Sequence, residues 1–210
     1  VQADFCARSF PVSADPRCAF FNDHAATWDT DGPPAALTLA RLEELKPVLG
    51  LRPGLDVLEV GCGTGQVTPW LAREVAPGRV TAVDFAPAML ARAAARGTDA
   101  QFRCVDVCAA DLGLEVFDLI WCLHVFPHLR DQSEGLRRMA RALRLGGTLL
   151  VLHLDSWQNI NAFHTRVGGA VGQDHLPPPD AWEALLTDAG LHLADLIARD
   201  DLFCVRAVRG

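Results

Sequence analysis

The sequence predicts a three-layer α/β sandwich, and three observations carry that expectation. Strand-sized apolar runs alternate with segments of helical period along most of the chain. A glycine-rich turn, GCGTG at 61–65, joins the first of these runs to a helix. The chain closes on two consecutive runs, 191–199 and 202–208, spaced as a β-hairpin. Together the runs amount to a seven-stranded, mostly parallel sheet.

Composition sets the outer bounds. With 210 residues, of which 50% are hydrophobic, the chain is long enough for one domain, 1–210, with a sizeable core. A formal net charge of −7 offers nothing to a phosphate backbone or an anionic membrane, so neither nucleic acid nor membrane is an expected partner. Apolar runs such as 147–152 are far too short to span a bilayer. No basic segment followed by an apolar stretch opens the chain, so a cytoplasmic location is expected. Seven cysteines, an odd number scattered through strand-like runs, suit reduced thiols better than a disulfide framework. Oligomeric state is not legible.

Residues 1–32 show no sustained period and carry the cluster FFNDHAATWD at 20–29. They are expected to form an arm that packs Phe20, Phe21 and Trp28 on the domain, covers the site as a lid, or does both. The run 33–48 has leucines at helical spacing with prolines in its first turn, and Gly50 and Pro53-Gly54 break it. Val57, Leu58 and Val60 read as a buried strand. Gly61, Gly63 and Gly65 then form a turn in which backbone approaches a ligand closely, and the helix expected over 66–76 points its first N–H groups above it. The second strand, 79–85, ends at Asp84, about 20 residues past the turn, where a carboxylate suits ribose hydroxyls or else caps the helix that follows. The third strand, 100–107, carries Asp106 near its end, and the fourth is 116–123. An amphipathic helix spans 131–143, with arginines at 137, 138, 141 and 144 on its solvated face. Gly146-Gly147 turns into a fifth strand at 148–154. The segment 155–179 is expected to be a substrate-side insertion, and 180–210 a closing helix and hairpin.

The residues LEVGCGTG at 58–65 resemble the first motif of the class I S-adenosylmethionine-dependent methyltransferases, of the small-molecule type found in ubiquinone and menaquinone biosynthesis. The resemblance covers about residues 53–153 and implies a Rossmann-like sheet whose last strand is antiparallel. It also implies a cofactor-binding core at 33–154. Glu59, Gly61, Cys62, Gly63 and Gly65 would surround the methionine and adenosine parts of S-adenosylmethionine, and Asp84 with Phe85 the ribose. Met89, Asp106 and Val107 would lie at the adenine, and Cys122 at the methionine part. His128 stands where the family often carries a histidine, whereas His124 replaces a residue that is usually apolar.

Five of the seven histidines, with Asp155 and Asp174, fall at or beyond the ends of the fourth and fifth strands. Three readings stay open. One histidine, His124 or His128, is a general base. His124, His153, His164 and His175 bind a divalent metal such as zinc. Or the imidazoles are structural. The expected function is S-adenosylmethionine-dependent methyl transfer to a small-molecule acceptor, with a metal-dependent methyltransferase and a non-catalytic cofactor-binding module or sensor as alternatives.

Overall fold

The computed structural model describes residues 15–210. The first fourteen residues of the expected arm lie outside the described residues. Seven strands form one sheet in the order β3-β2-β1-β4-β5-β7-β6, where β1 is Val57–Val60, β2 Val80–Asp84, β3 Gln101–Cys104, β4 Phe117–Leu123, β5 Leu143–His153, β6 Leu191–Arg199 and β7 Leu202–Arg209. The chain divides into two compact units after Asp106.

In the first unit, β1 pairs in parallel with β2 and β2 with β3. Every residue of β1 is buried, as the apolar run VLEV requires, and the buried run includes the carboxylate of Glu59. The arm is more regular than expected. Pro16–His24 is a helix, α1, started by Asp15, which accepts from the Arg17 backbone N–H at 3.0 Å, with proline in its first turn. Trp28–Asp31 makes a single helical turn, α2. Periodicity missed both because the two helices are short and apolar residues sit on more than one side. Ala35–Leu49 (α3) ends at Gly50, in the left-handed conformation at φ 71°. Thr68–Val75 (α4) and Pro87–Ala94 (α5) follow β1 and β2.

In the second unit, β4 pairs in parallel with β5, while β7 runs antiparallel to both β5 and β6. Gln132–Ala142 (α6) begins at Asp131, whose carboxylate accepts from the Glu134 N–H at 2.8 Å. β5 starts at Leu143, five residues earlier than expected. Gly146-Gly147 is absorbed within the strand, because the register against β4 jumps from Leu143 to Thr148 and the intervening residues bulge out. The segment 155–179 contains an unforeseen helix, Trp157–Val167 (α7), capped by Ser156, which accepts from the Asn159 N–H at 3.2 Å. Trp182–Asp188 (α8) buries Trp182 completely against Phe126 and Phe203. Among the described residues no helix is long and apolar enough to cross a membrane.

Candidate functional site

The first unit assembles the glycine turn. Gly61, Gly63 and Gly65 all take positive φ, at 67°, 54° and 75°, so the left-handed backbone accounts for the residue type. Space separates the last two. A Cβ on Gly65 would lie 2.8 Å from that of Ala93 in α5, whereas nothing stands within 4 Å of one on Gly63. Gly65 thus lets α5 pack close, and Gly63 leaves the backbone open. Asp84 is buried and holds the turn in place: one carboxylate oxygen accepts from the Gly63 N–H at 2.9 Å and the other from the Ala86 N–H at 2.8 Å. The carboxylate thus ties the glycine turn to the residue just before α5, although α5 itself has no side-chain cap.

Glu59 is 4% exposed, and its Oε2 has no hydrogen-bond partner. Burial pushes its carboxyl up to about 7, with the Asp84 charge adding to the rise and the Thr68 hydroxyl opposing it. The same burial, with Glu59 and Asp84 nearby, drives the Cys62 thiol far above its ordinary value, so Cys62 is an inert small hydrophobe. Met89 is buried in α5, and Phe85 meets Phe21 of α1 edge to face, ring centres 5.7 Å apart. Asp106 lies just beyond the end of β3, and Val107 is buried.

The arm makes a clasp that reading the sequence missed. Asp29, in α2, accepts from the Thr64 hydroxyl and from Gln66 Nε2 at 2.7 Å on one oxygen. Its other oxygen takes the Arg96 guanidinium at 2.5 Å, with Arg92 at 3.6 Å. Arg96 also donates to the Thr64 carbonyl at 2.6 Å. Partial burial raises the Asp29 carboxyl, but the Gln66 and Thr64 hydrogen bonds and the two arginines outweigh it and leave the group below its ordinary value. The signal was present in the Trp28-Asp29 pair, but nothing in linear order joins it to residues 64, 66 and 96. Phe21 packs as expected, whereas Trp28, expected to pack as well, is exposed; Asn22 Oδ1 accepts from the Ala88 N–H at 2.9 Å. His24 stays exposed, bonded to the carbonyl of Phe20.

The second unit gathers the histidines. His124 follows β4 in a left-handed conformation, φ 56°, uncommon outside glycine. Desolvation by the protein around it holds the imidazole below its ordinary value, with Asp155 opposing and His128 reinforcing the shift. His153, 2% exposed, meets His124 edge to face at 5.3 Å, and its Nε2 has no partner. Burial holds His153 well below the ordinary range, and His124, His128 and His164 add to the effect. His128, at the end of a short turn after β4, bonds Asp174 Oδ2 through Nδ1 at 2.8 Å. The His164 ring lies 4.7 Å from that of His128, and its Nδ1 is buried without a partner. Cys122 turns into the core, its thiol 3.8 Å from the sulfur of Met139 in α6.

The expectation of a metal held by His124, His153, His164 and His175 finds no support. Among the described residues no three His, Cys, Asp or Glu side chains are grouped to hold an ion. His175 is engaged elsewhere, by the Thr165 hydroxyl at 3.0 Å, while the His124 and His153 rings lie edge to face. Cys104 and Cys108 are not a ligand pair either, since each thiol donates to a backbone carbonyl, of Phe85 and Asp131 respectively.

Comparison with known proteins agrees with this geometry. Residues 58–151 match the profile of a methyltransferase domain family. The ubiquinone biosynthesis O-methyltransferase of Xanthomonas euvesicatoria is 33% identical over 190 residues, covering 80% of this chain and 77% of that protein. This chain belongs to the class I S-adenosylmethionine-dependent methyltransferases. The matched core of this methyltransferase runs from within β1 to within β5. The chain spans little more than half of the length of the ubiquinone biosynthesis O-methyltransferase of Xanthomonas oryzae, matching 56% of that protein with 61% of its own length, at 35% identity over 137 residues. An S-adenosylmethionine-dependent methyltransferase from Aquifex aeolicus shares the fold, with a TM-score of 0.72 at 21% identity, over 90% of this chain and 98% of that one.

Proposed function

We propose that this chain transfers a methyl group from S-adenosylmethionine to an oxygen of a small-molecule acceptor, with His128 as the base. The observation that carries the reading is the glycine turn pinned to Asp84, in a chain of this family. The residues present fit the cofactor on two counts: the open backbone at Gly63, and the buried, unpartnered Oε2 of Glu59, which suits a ligand bringing a hydrogen-bond donor. Gly61, Gly63, Gly65, Glu59, Asp84, Phe85 and Met89 would hold it, with Asp106, Val107 and the backbone around Cys122 as further contacts. When bound, S-adenosylmethionine supplies an electrophilic methyl on a sulfonium, displaced in line.

The chain's own part is to order and to deprotonate. Asp84 fixes the turn before any ligand arrives, which lowers the entropy cost of binding. A hydroxyl acceptor must lose its proton as its oxygen attacks, and His128 takes it. His124 is held below its ordinary value and is neutral near pH 7, so it offers one donor and one acceptor nitrogen rather than a cationic contact. The names of the curated relatives support an oxygen acceptor.

The test is two-stage. Calorimetry should show S-adenosylhomocysteine binding to the wild type and at least ~10-fold weaker binding to Asp84→Asn. A panel of phenols, hydroxylated quinols and hydroxy acids should then yield S-adenosylhomocysteine with at least one acceptor. Loss of cofactor binding in the wild type sinks the whole reading. Tight binding with no turnover on any acceptor leaves the cofactor-binding module instead.

A further inference from the structure

We infer that Asp29 and Arg96 latch the glycine turn and so set how tightly S-adenosylmethionine is held: they fix Thr64, the residue between the second and third glycines, and act on the cofactor only through it. This rests on the proposed cofactor reading. It adds two positioning residues, one in the arm and one beyond α5, that lie outside the motif at 58–65.

The first argument is closure. Three residues from three segments make a ring of hydrogen bonds. Thr64 donates its hydroxyl to Asp29 Oδ1, Asp29 Oδ2 accepts from Arg96 Nη2 at 2.5 Å, and Arg96 Nε returns to the Thr64 carbonyl at 2.6 Å. Gln66, just past Gly65, adds its Nε2 to the same Asp29 oxygen as Thr64, at 2.7 Å. Thr64 is buried, and both its side chain and its carbonyl are held. The neighbouring Gly63 N–H is held by Asp84. Two consecutive residues of the turn are thus tied by two carboxylates, one from β2 and one from the arm. A turn already in place loses less freedom when a ligand settles on it, and the difference appears as affinity.

The second argument is what holds α2. No residue of α2 is buried, and its aromatic tie is the edge contact of Trp28 with Phe21, ring centres 5.7 Å apart. The preceding helix α1, by contrast, buries Cys18 and Phe21 and has Asn22 bonded to the Ala88 N–H. Burial therefore fixes α1, whereas α2 depends on the polar contacts of Asp29. The reach of Arg96 is set from the turn itself. A Cβ on Gly65 would lie 2.8 Å from that of Ala93 and 3.5 Å from Arg96 Cδ, so the missing side chain lets the end of α5 close on Thr64. The guanidinium then serves two partners from one rigid plane, the carboxylate and the carbonyl.

The experiment measures S-adenosylhomocysteine affinity by calorimetry, and its dissociation rate, for wild type, Asp29→Asn, Arg96→Met and the double variant. Asparagine keeps one acceptor oxygen but turns an amide toward the guanidinium, and methionine keeps the apolar stem of Arg96 without its donors. Each single variant is expected to weaken binding by ~5- to 10-fold, through faster dissociation. The double variant is expected to bind about as well as the poorer single one, because all three break the same ring. On an acceptor found by the panel above, the loss should fall on KM for S-adenosylmethionine and leave KM for the acceptor within ~2-fold, a split that general destabilisation would not produce. Wild-type affinity in Asp29→Asn, or losses that add in the double variant, would overturn the latch and leave the cofactor reading intact. A wild type that does not bind S-adenosylhomocysteine overturns both. Should the variants fail to fold, hydrogen exchange in the wild type still decides. Coupling is reciprocal, so S-adenosylhomocysteine must slow the amides of 28–31 together with those of 61–66, and exchange in 28–31 unchanged on binding overturns the inference.

Discussion

Glu59 is a costly side chain to bury in the first unit. A carboxyl that titrates at about 7 in the folded protein, against an ordinary value of 4.5, is destabilised when charged. Because the folded value is raised, its contribution is favourable below pH 4.5 and is lost as pH rises through 7. Glu59→Gln keeps the shape and removes the charge. It is expected to match the wild type in stability near pH 4.5 and to exceed it at pH 8 by on the order of 3 kcal/mol, read from denaturant unfolding at both pH values. Equal stability at pH 8 would mean that the carboxylate is solvated or paired when ionised.

Among elements, the two-helix arm and the glycine turn share one device. Asp29 joins α2 to Thr64, Gln66, Arg96 and Arg92, so ordering the arm and ordering the turn are one event. Because the Asp29 carboxyl is held below its ordinary value, the clasp is present above about pH 4 and is lost as pH falls through the lowered value. Asp29→Asn removes the charge that both arginines meet. Hydrogen exchange at pH 7 should then accelerate in 16–31 and in 61–66 together, with the amides of β2 unchanged. Acceleration confined to 16–31 would show that the turn stands without the arm.

Over the whole molecule, the two units carry opposite pH dependences between pH 7.5 and 5. In the second unit, His153 and His164 are held below their ordinary values by burial, so their neutral forms contribute stability that falls as pH drops below about 6.5. In the first unit, protonation of Glu59 over the same range adds stability. Exchange measured at pH 5.2 and pH 7.5, corrected for intrinsic rates, should show protection falling in β4 and β5 and rising in β1 and β2. A uniform change across both units would contradict the assignment. His153→Asn should flatten the dependence in the second unit, since the group that must stay neutral is then gone.

Linear pattern was enough for the strands, for the turn and for the family. Those features depend on neighbours in the chain: apolar runs of strand length, glycines where backbone takes positive φ, an acid about 20 residues on. The sheet, with β7 antiparallel, matches what the motif at 58–65 implied. The capped helix α7 was also encoded locally, in Ser156 and the run after it, but was passed over because its polar face hides the period. Folding was required to join Asp29 to Arg96 and His128 to Asp174, pairs 67 and 46 residues apart. It also set His124 against His153 and His128 against His164, and tied His175 to Thr165, among five histidines expected on one rim. A side chain's partner and the direction of a ring nitrogen depend on how distant segments pack, and packing is a property of the folded chain rather than of any stretch of its sequence.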